Sequence, residues 1–84
     1  MNPRVTAVTP VADHELMVTF ADGQVRRLDV RPYLAFDVFG RLREPAYFAQ
    51  VRADHGTVAW PSGIDLDPDS VYLDSVPIPQ SAAA

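Results

Sequence analysis

Leu16, Val18 and Phe20, and then Leu28 and Val30, recur at every second position, with the period of two that belongs to strands. Val5-Thr6-Ala7-Val8-Thr9 is short, β-branched and stopped by Pro10, which reads as a first strand. Leu16-Met17-Val18-Thr19-Phe20 and Val25 to Val30 read as a second and a third, joined at Ala21-Asp22-Gly23. The pattern also selects a register. A two-residue Asp-Gly loop would set Leu16 opposite Asp29 and Val18 opposite Arg27. A three-residue loop with Gly23 in the left-handed conformation sets Leu16 opposite Leu28 and Phe20 opposite Gln24. Only the second gathers Leu16, Val18, Phe20, Leu28 and Val30 on one face. A slip of one residue would turn that face to water, so the three-residue loop with a bulge at Gly23 is expected.

The pattern then changes. Asp29-Val30-Arg31-Pro32-Tyr33-Leu34 ends the strand and opens a turn or short helix, with Pro32 suited to a first helical position. The dense apolar group Tyr33, Leu34, Phe36, Val38 and Phe39 is expected to cap the core, and Gly40 to break the segment. Leu42 to Val51 reads as a helix opened by Pro45, with Phe48 and Val51 on one face. Arg52-Ala53-Asp54, the turn His55-Gly56 and Thr57-Val58-Ala59-Trp60 form a second, shorter hairpin. The expected fold is α+β: a small antiparallel β-sheet of two hairpins packed with short helices. One domain spans residues 1–74. Residues 75–84 carry alternating prolines and a polyalanine end, and are expected to be an extended or disordered tail outside any sheet interior.

Composition narrows the function classes. Eighty-four residues suffice for one small core, and such a core leaves self-association open. There is no cysteine, which removes disulfides, thiolate metal sites and thiol nucleophiles and suits a reducing compartment. No apolar run approaches the roughly 20 residues of a membrane span, and Met1-Asn2-Pro3-Arg4 is no signal-peptide start, so the expected location is the cytoplasm. All seven basic residues are arginine, which excludes Schiff-base chemistry and a P-loop lysine. Net charge is −4, unevenly spread: −2 over residues 1–23, +3 over 24–52 and −5 over 53–84. A basic middle beside an acidic end is either internally complementary or steers a charged partner.

The most distinctive block is Trp60-Pro61-Ser62-Gly63-Ile64-Asp65-Leu66-Asp67-Pro68-Asp69-Ser70-Val71-Tyr72. With the strand pair around Asp22-Gly23, the step Leu28-Asp29-Val30, the aromatic turn at Tyr33-Leu34, Phe39-x-x-Leu42 and the helix holding Phe48, it resembles the bacterial family called domain of unknown function 2442 over about residues 4–74. The resemblance carries no catalytic residues. It implies a small α+β fold with an antiparallel sheet and short helices. It also implies a companion protein from a neighbouring gene, of the kind called domain of unknown function 4160, in an antitoxin-like two-protein module. Some relatives add a helix-turn-helix after the position of Tyr72. This sequence ends at Ala84, so no such DNA-binding part is expected.

Several constellations have two readings. Asp65-x-Asp67-x-Asp69 begins like a calcium loop, but Ser70 replaces the glycine of the sixth position and Val76 the glutamate of the twelfth. The same residues suit a helix start: Asp67 as N-cap, Pro68 as first helical residue and Asp69 at the positive end of the helix. Asp65 braces a turn or presents a carboxylate to a partner. Trp60 either covers the core edge or anchors an interface. His14 and His55 read as polar turn residues, since Asp13-His14-Glu15 on an extended segment cannot converge on one metal. Ser62 lacks a nucleophile elbow. Arg26, Arg27, Arg31, Arg41, Arg43 and Arg52 form the basic middle, but an acidic chain without a reading element argues against direct nucleic-acid binding.

The sequence therefore leads to a non-enzymatic protein-interaction module with no cofactor and no metal. Its candidate partner-binding residues are Arg26, Arg27, Arg31, Arg41, Arg43, Trp60 and Asp65, with the sheet edge and the proline-rich tail as further contacts. The alternatives are a small metal-dependent enzyme using Asp65, Asp67 and Asp69, and a structural homodimer paired through edge strands.

Overall fold

Hydrophobic alternation builds two antiparallel sheets around one core. The computed structural model describes residues 2–78. Strands β1 (Val5–Val11), β2 (Glu15–Phe20) and β3 (Val25–Asp29) form a meander that β7 (Val76–Pro77) extends, in the order β1-β2-β3-β7. The second sheet is β4 (Arg52–Asp54), β5 (Thr57–Trp60) and β6 (Ile64–Asp65) in that order. Two short helices, α1 (Pro45–Phe48) and α2 (Pro68–Asp74), and 3-10 segments at Arg31–Ala35 and Asp37–Arg43 complete the α+β fold.

The β2–β3 register is the one the pattern selects. Leu16 stands opposite Leu28 and Val18 opposite Arg26, while Phe20 N–H donates to the Gln24 carbonyl. Gly23 takes φ +90°, a conformation closed to β-branched residues. Leu16, Val18, Phe20, Leu28 and Val30 are all buried, and with Trp60, Phe48, Leu42, Val58, Leu66 and Val71 they make one core shared by both sheets. In the second hairpin Asp54 pairs with Thr57. His55 (φ 50°) and Gly56 (φ 79°) form the two-residue turn, whose double positive φ matches the strand twist.

Three expectations are corrected. The helix of Leu42 to Val51 is a single turn, α1, preceded by a 3-10 helix that runs straight through Gly40. Pro45 is the reason: it pushes Glu44 to an extended conformation (φ −80°, ψ 120°), so no helix can pass from Leu42 into Pro45. Phe36 and Val38 do not cap the core; they are 61% and 67% exposed. In a 3-10 segment side chains eclipse at i and i+3, so Phe39 and Leu42 share the inward face, Val38 and Arg41 turn outward, and Phe36 sits between two segments in an extended conformation. Finally, the fold continues beyond residue 74. Ser75 is buried and Val76–Pro77 pairs with Arg26 and Arg27 of β3. The rest of the expected tail, residues 79–84, lies outside the described residues.

Candidate functional site

The arginines of the basic middle are used within the chain. Arg26 stacks on Tyr72, with its guanidinium carbon 4.3 Å from the ring centroid. It donates from Nε to Ser75 Oγ (2.7 Å), from Nη2 to the Ser75 carbonyl (2.7 Å) and from Nη1 to Gln24 Oε1 (3.0 Å). Its planar fork staples α2 and β7 to β3, which is a structural task. Arg31 grips Asp29 with two parallel bonds of 2.9 Å, and these hold the Asp29 carboxyl below the usual range. Arg27 pairs with Glu15 at 3.6 Å and Arg52 with Asp54 at 3.5 Å. Arg41 lies over the Tyr47 ring at 4.3 Å and donates to Ser62 Oγ, while Arg43 donates to the Leu34 carbonyl at 2.6 Å. Arg4 donates to the His55 carbonyl at 3.4 Å. Only the Arg52–Asp54 pair joins the basic middle to a carboxylate of the acidic end; the other partners are Glu15, Asp29 and neutral oxygens. Arg27, Arg31, Arg41 and Arg43 remain exposed beside their partners.

Trp60 has no exposed surface, and its indole N–H donates to the Phe48 carbonyl at 2.9 Å. The fold gives it the core role and leaves none of its surface for a partner. The three aspartates do not converge. Asp67 Oδ2 accepts from Ser70 N–H (3.0 Å) as the α2 N-cap, Asp69 Oδ1 accepts from the Asn2 amide, and Asp65 is exposed on β6 opposite Ala59. Among the described residues no group of three His, Cys, Asp or Glu side chains is placed to hold a metal ion, so the metal-dependent alternative lacks its ligand set. Nor is any helix there long and apolar enough to cross a membrane.

The edges of the larger sheet are blunted by proline. Ile78 N–H donates to the Val25 carbonyl, so Ile78 and Val76 point their backbone toward β3 and Pro77 points outward. Pro77 has no N–H to offer there. On the other side, Phe20 faces Gln24, so Thr19, Met17 and Glu15 face β1, and Ala7, Thr9 and Val11 face them in turn. Val8 and Pro10 are left pointing outward. Each outer edge thus carries a proline where a pairing strand needs a donor. This counts against a homodimer by edge pairing, and the proline-rich tail spends its first pairing residues on its own sheet.

Two features went unread in the sequence. Asp13 (φ 57°) and His14 (φ 63°) are consecutive left-handed residues. His14 is half-buried: its ring lies 4.9 Å edge-on from Phe48, and Nε2 lies 3.2 Å from the Arg43 carbonyl oxygen, so that nitrogen carries the proton. Asp and His, with Asn, are the non-glycine residues enriched there, so no glycine signals the turn. The second feature is a pocket of about 450 Å³ lined by Asp29, Pro32, Tyr33, Phe36 and Asp74, between the 3-10 run and the end of α2. Tyr33 Oη donates to Asp74 Oδ2 at 2.5 Å. Burial, the Asp74 bond and the charges of Asp74 and Asp67 raise the Tyr33 phenol well above its ordinary range. Exposed Phe36 forms one wall, Val38 lies two residues on, and exposed Leu73 directly precedes Asp74.

A family model described as a protein of unknown function, DUF2442, matches residues 5–76. The chain belongs to the DUF2442 family. The matched range runs to Val76, the first residue of β7. No curated protein and no solved structure gives a significant match.

Proposed function

We propose that this DUF2442 domain is a non-enzymatic, cytoplasmic protein-interaction module that docks a companion protein encoded by a neighbouring gene, as the antitoxin-like half of a pair. The observation that carries this reading is the exposure of Phe36, which walls the Tyr33–Asp74 pocket, and of Val38 two residues on. A domain this small gains most by burying its large apolar side chains, and these two stand more than half in water. A companion that covers them would supply the burial that the fold withholds. The remaining surface points the same way. The arginines are committed to internal contacts and the chain is acidic, which disfavours nucleic acid as partner. Proline at both edges of the larger sheet disfavours strand addition there, which favours side-chain docking.

The test is co-expression of the tagged chain with its gene neighbour, followed by pull-down and intact mass. A stoichiometric complex that survives in the native chain and is lost in Phe36→Asp/Val38→Asp supports the proposal. Elution of two separate species defeats it.

A further inference from the structure

We infer that the pocket between the 3-10 run and α2 receives an arginine side chain of the companion, its guanidinium laid against the Tyr33 and Phe36 rings and paired with Asp74. This rests on the docking reading above and names what the docking face recognises. The pocket is walled by two aromatic rings and a proline and holds two carboxylates, with no basic side chain in its lining. The carboxylates differ. Asp29 is already offset by Arg31, which grips both of its oxygens. Asp74 receives the neutral Tyr33 hydroxyl on Oδ2 and keeps its charge facing the pocket. Negative charge between aromatic faces is the chemistry that selects a cation, and a planar one gains from both the ring and the carboxylate.

The molecule already lays a guanidinium on a tyrosine ring twice, Arg26 over Tyr72 and Arg41 over Tyr47, each at 4.3 Å, there with neutral oxygens as the hydrogen-bond partners; the pocket adds a carboxylate to the same stacking. Its own arginines are engaged elsewhere, so the cation comes from outside. An arginine-bearing partner also matches the net −5 of residues 53–84, the segment that supplies Asp74.

The probe is Nα-acetyl-arginine amide, titrated into the isotope-labelled full chain and followed by amide chemical shifts. The neutral citrulline analogue serves as the isosteric control. The expected result is a saturable shift confined to the neighbourhood of Tyr33, Phe36 and Asp74, weakened about tenfold or more by citrulline or by Asp74→Asn. Asp74→Asn keeps an acceptor for the Tyr33 hydroxyl. Should it unfold nonetheless, Phe36→Ala at an exposed site gives the same readout. Equal response to citrulline, shifts elsewhere, or no response overturns the inference. Failure of the docking reading is separately visible. A companion captured with Phe36 and Val38 intact but indifferent to arginine leaves docking standing and removes this pocket's role. A pocket that binds arginine in a chain that captures no companion does the reverse.

Discussion

The sheet core and the 3-10 run at residues 31–43 are equally rich in large apolar residues, yet they treat them oppositely. In β2 and β3, Leu16, Val18, Phe20 and Leu28 are all buried. In the 3-10 run, Tyr33, Leu34 and Phe39 pack only partly against the core, Leu42 is buried, and Phe36 and Val38 are exposed. A strand with period two can turn alternate residues to one side, and in β2 only Met17, out of step with Leu16 and Val18, is left exposed among the large apolar residues. A broken 3-10 run with period three cannot, so its surplus faces water. The same hydrophobicity therefore holds the fold together in one region and furnishes a contact surface in the other.

Truncating the core should be costly. Trp60→Ala removes the largest fully buried side chain and one of the two donors to the Phe48 carbonyl, which predicts a loss of about 3–5 kcal/mol in urea unfolding. A loss near that of a surface substitution would erase the contrast between the two regions.

The arginines sharpen it. Arg26→Ala breaks the Ser75 and Gln24 bonds and the Tyr72 stack, and should cost about 2 kcal/mol. Arg31→Ala removes an exposed pair and should shift stability by less than about 0.5 kcal/mol. Equal costs would mean that the half-buried staple contributes no more than a surface ion pair.

What was legible in the chain follows the same division. The β2–β3 register and the Asp67 cap could be read because each is fixed by a local rule, period two and an oxygen at a helix start; Trp60, a candidate interface anchor from its residue type, is instead fully buried. The 3-10 run resisted because its side-chain directions depend on where each short segment starts and stops. Gly40 looked like a breaker but sits inside helical backbone. Its added Cβ would meet nothing within 4 Å, so Gly40→Ala should stabilise by about 0.5 kcal/mol in the same unfolding assay. Val76–Pro77 lies outside any sheet interior, as the prolines require, but takes an edge whose outward position needs no donor. The pocket joins residues 41 positions apart, Tyr33 and Asp74, and no local pattern reveals such a pair.

Alkaline pH probes the boundary between the two regions. Folding raises the Tyr33 pKa, so above about pH 10 the unfolded chain gives up a proton that the folded one keeps. Stability from this group is therefore complete below about pH 10 and declines as pH climbs toward the raised folded value. Unfolding free energy measured from pH 8 to 11 should fall less steeply in Tyr33→Phe than in the native chain. An unchanged slope would detach Tyr33 from Asp74.

The smallest expected change in stability is the one that bears most on function. Phe36 is 61% exposed, so Phe36→Ala removes little buried area and should leave stability within about 0.5 kcal/mol of the native chain. A core phenylalanine treated alike, such as Phe20 at 1% exposure, should cost several times more, on the order of 3 kcal/mol or above. If both are costly, Phe36 belongs to the core and the proposed contact surface shrinks to Val38 and Leu73. If Phe36→Ala leaves the melting curve in place and weakens companion capture, its apolar surface is kept for binding. The two readouts must be taken on the same preparation, because a destabilised chain also loses its partner. A stable chain that loses it has lost a contact.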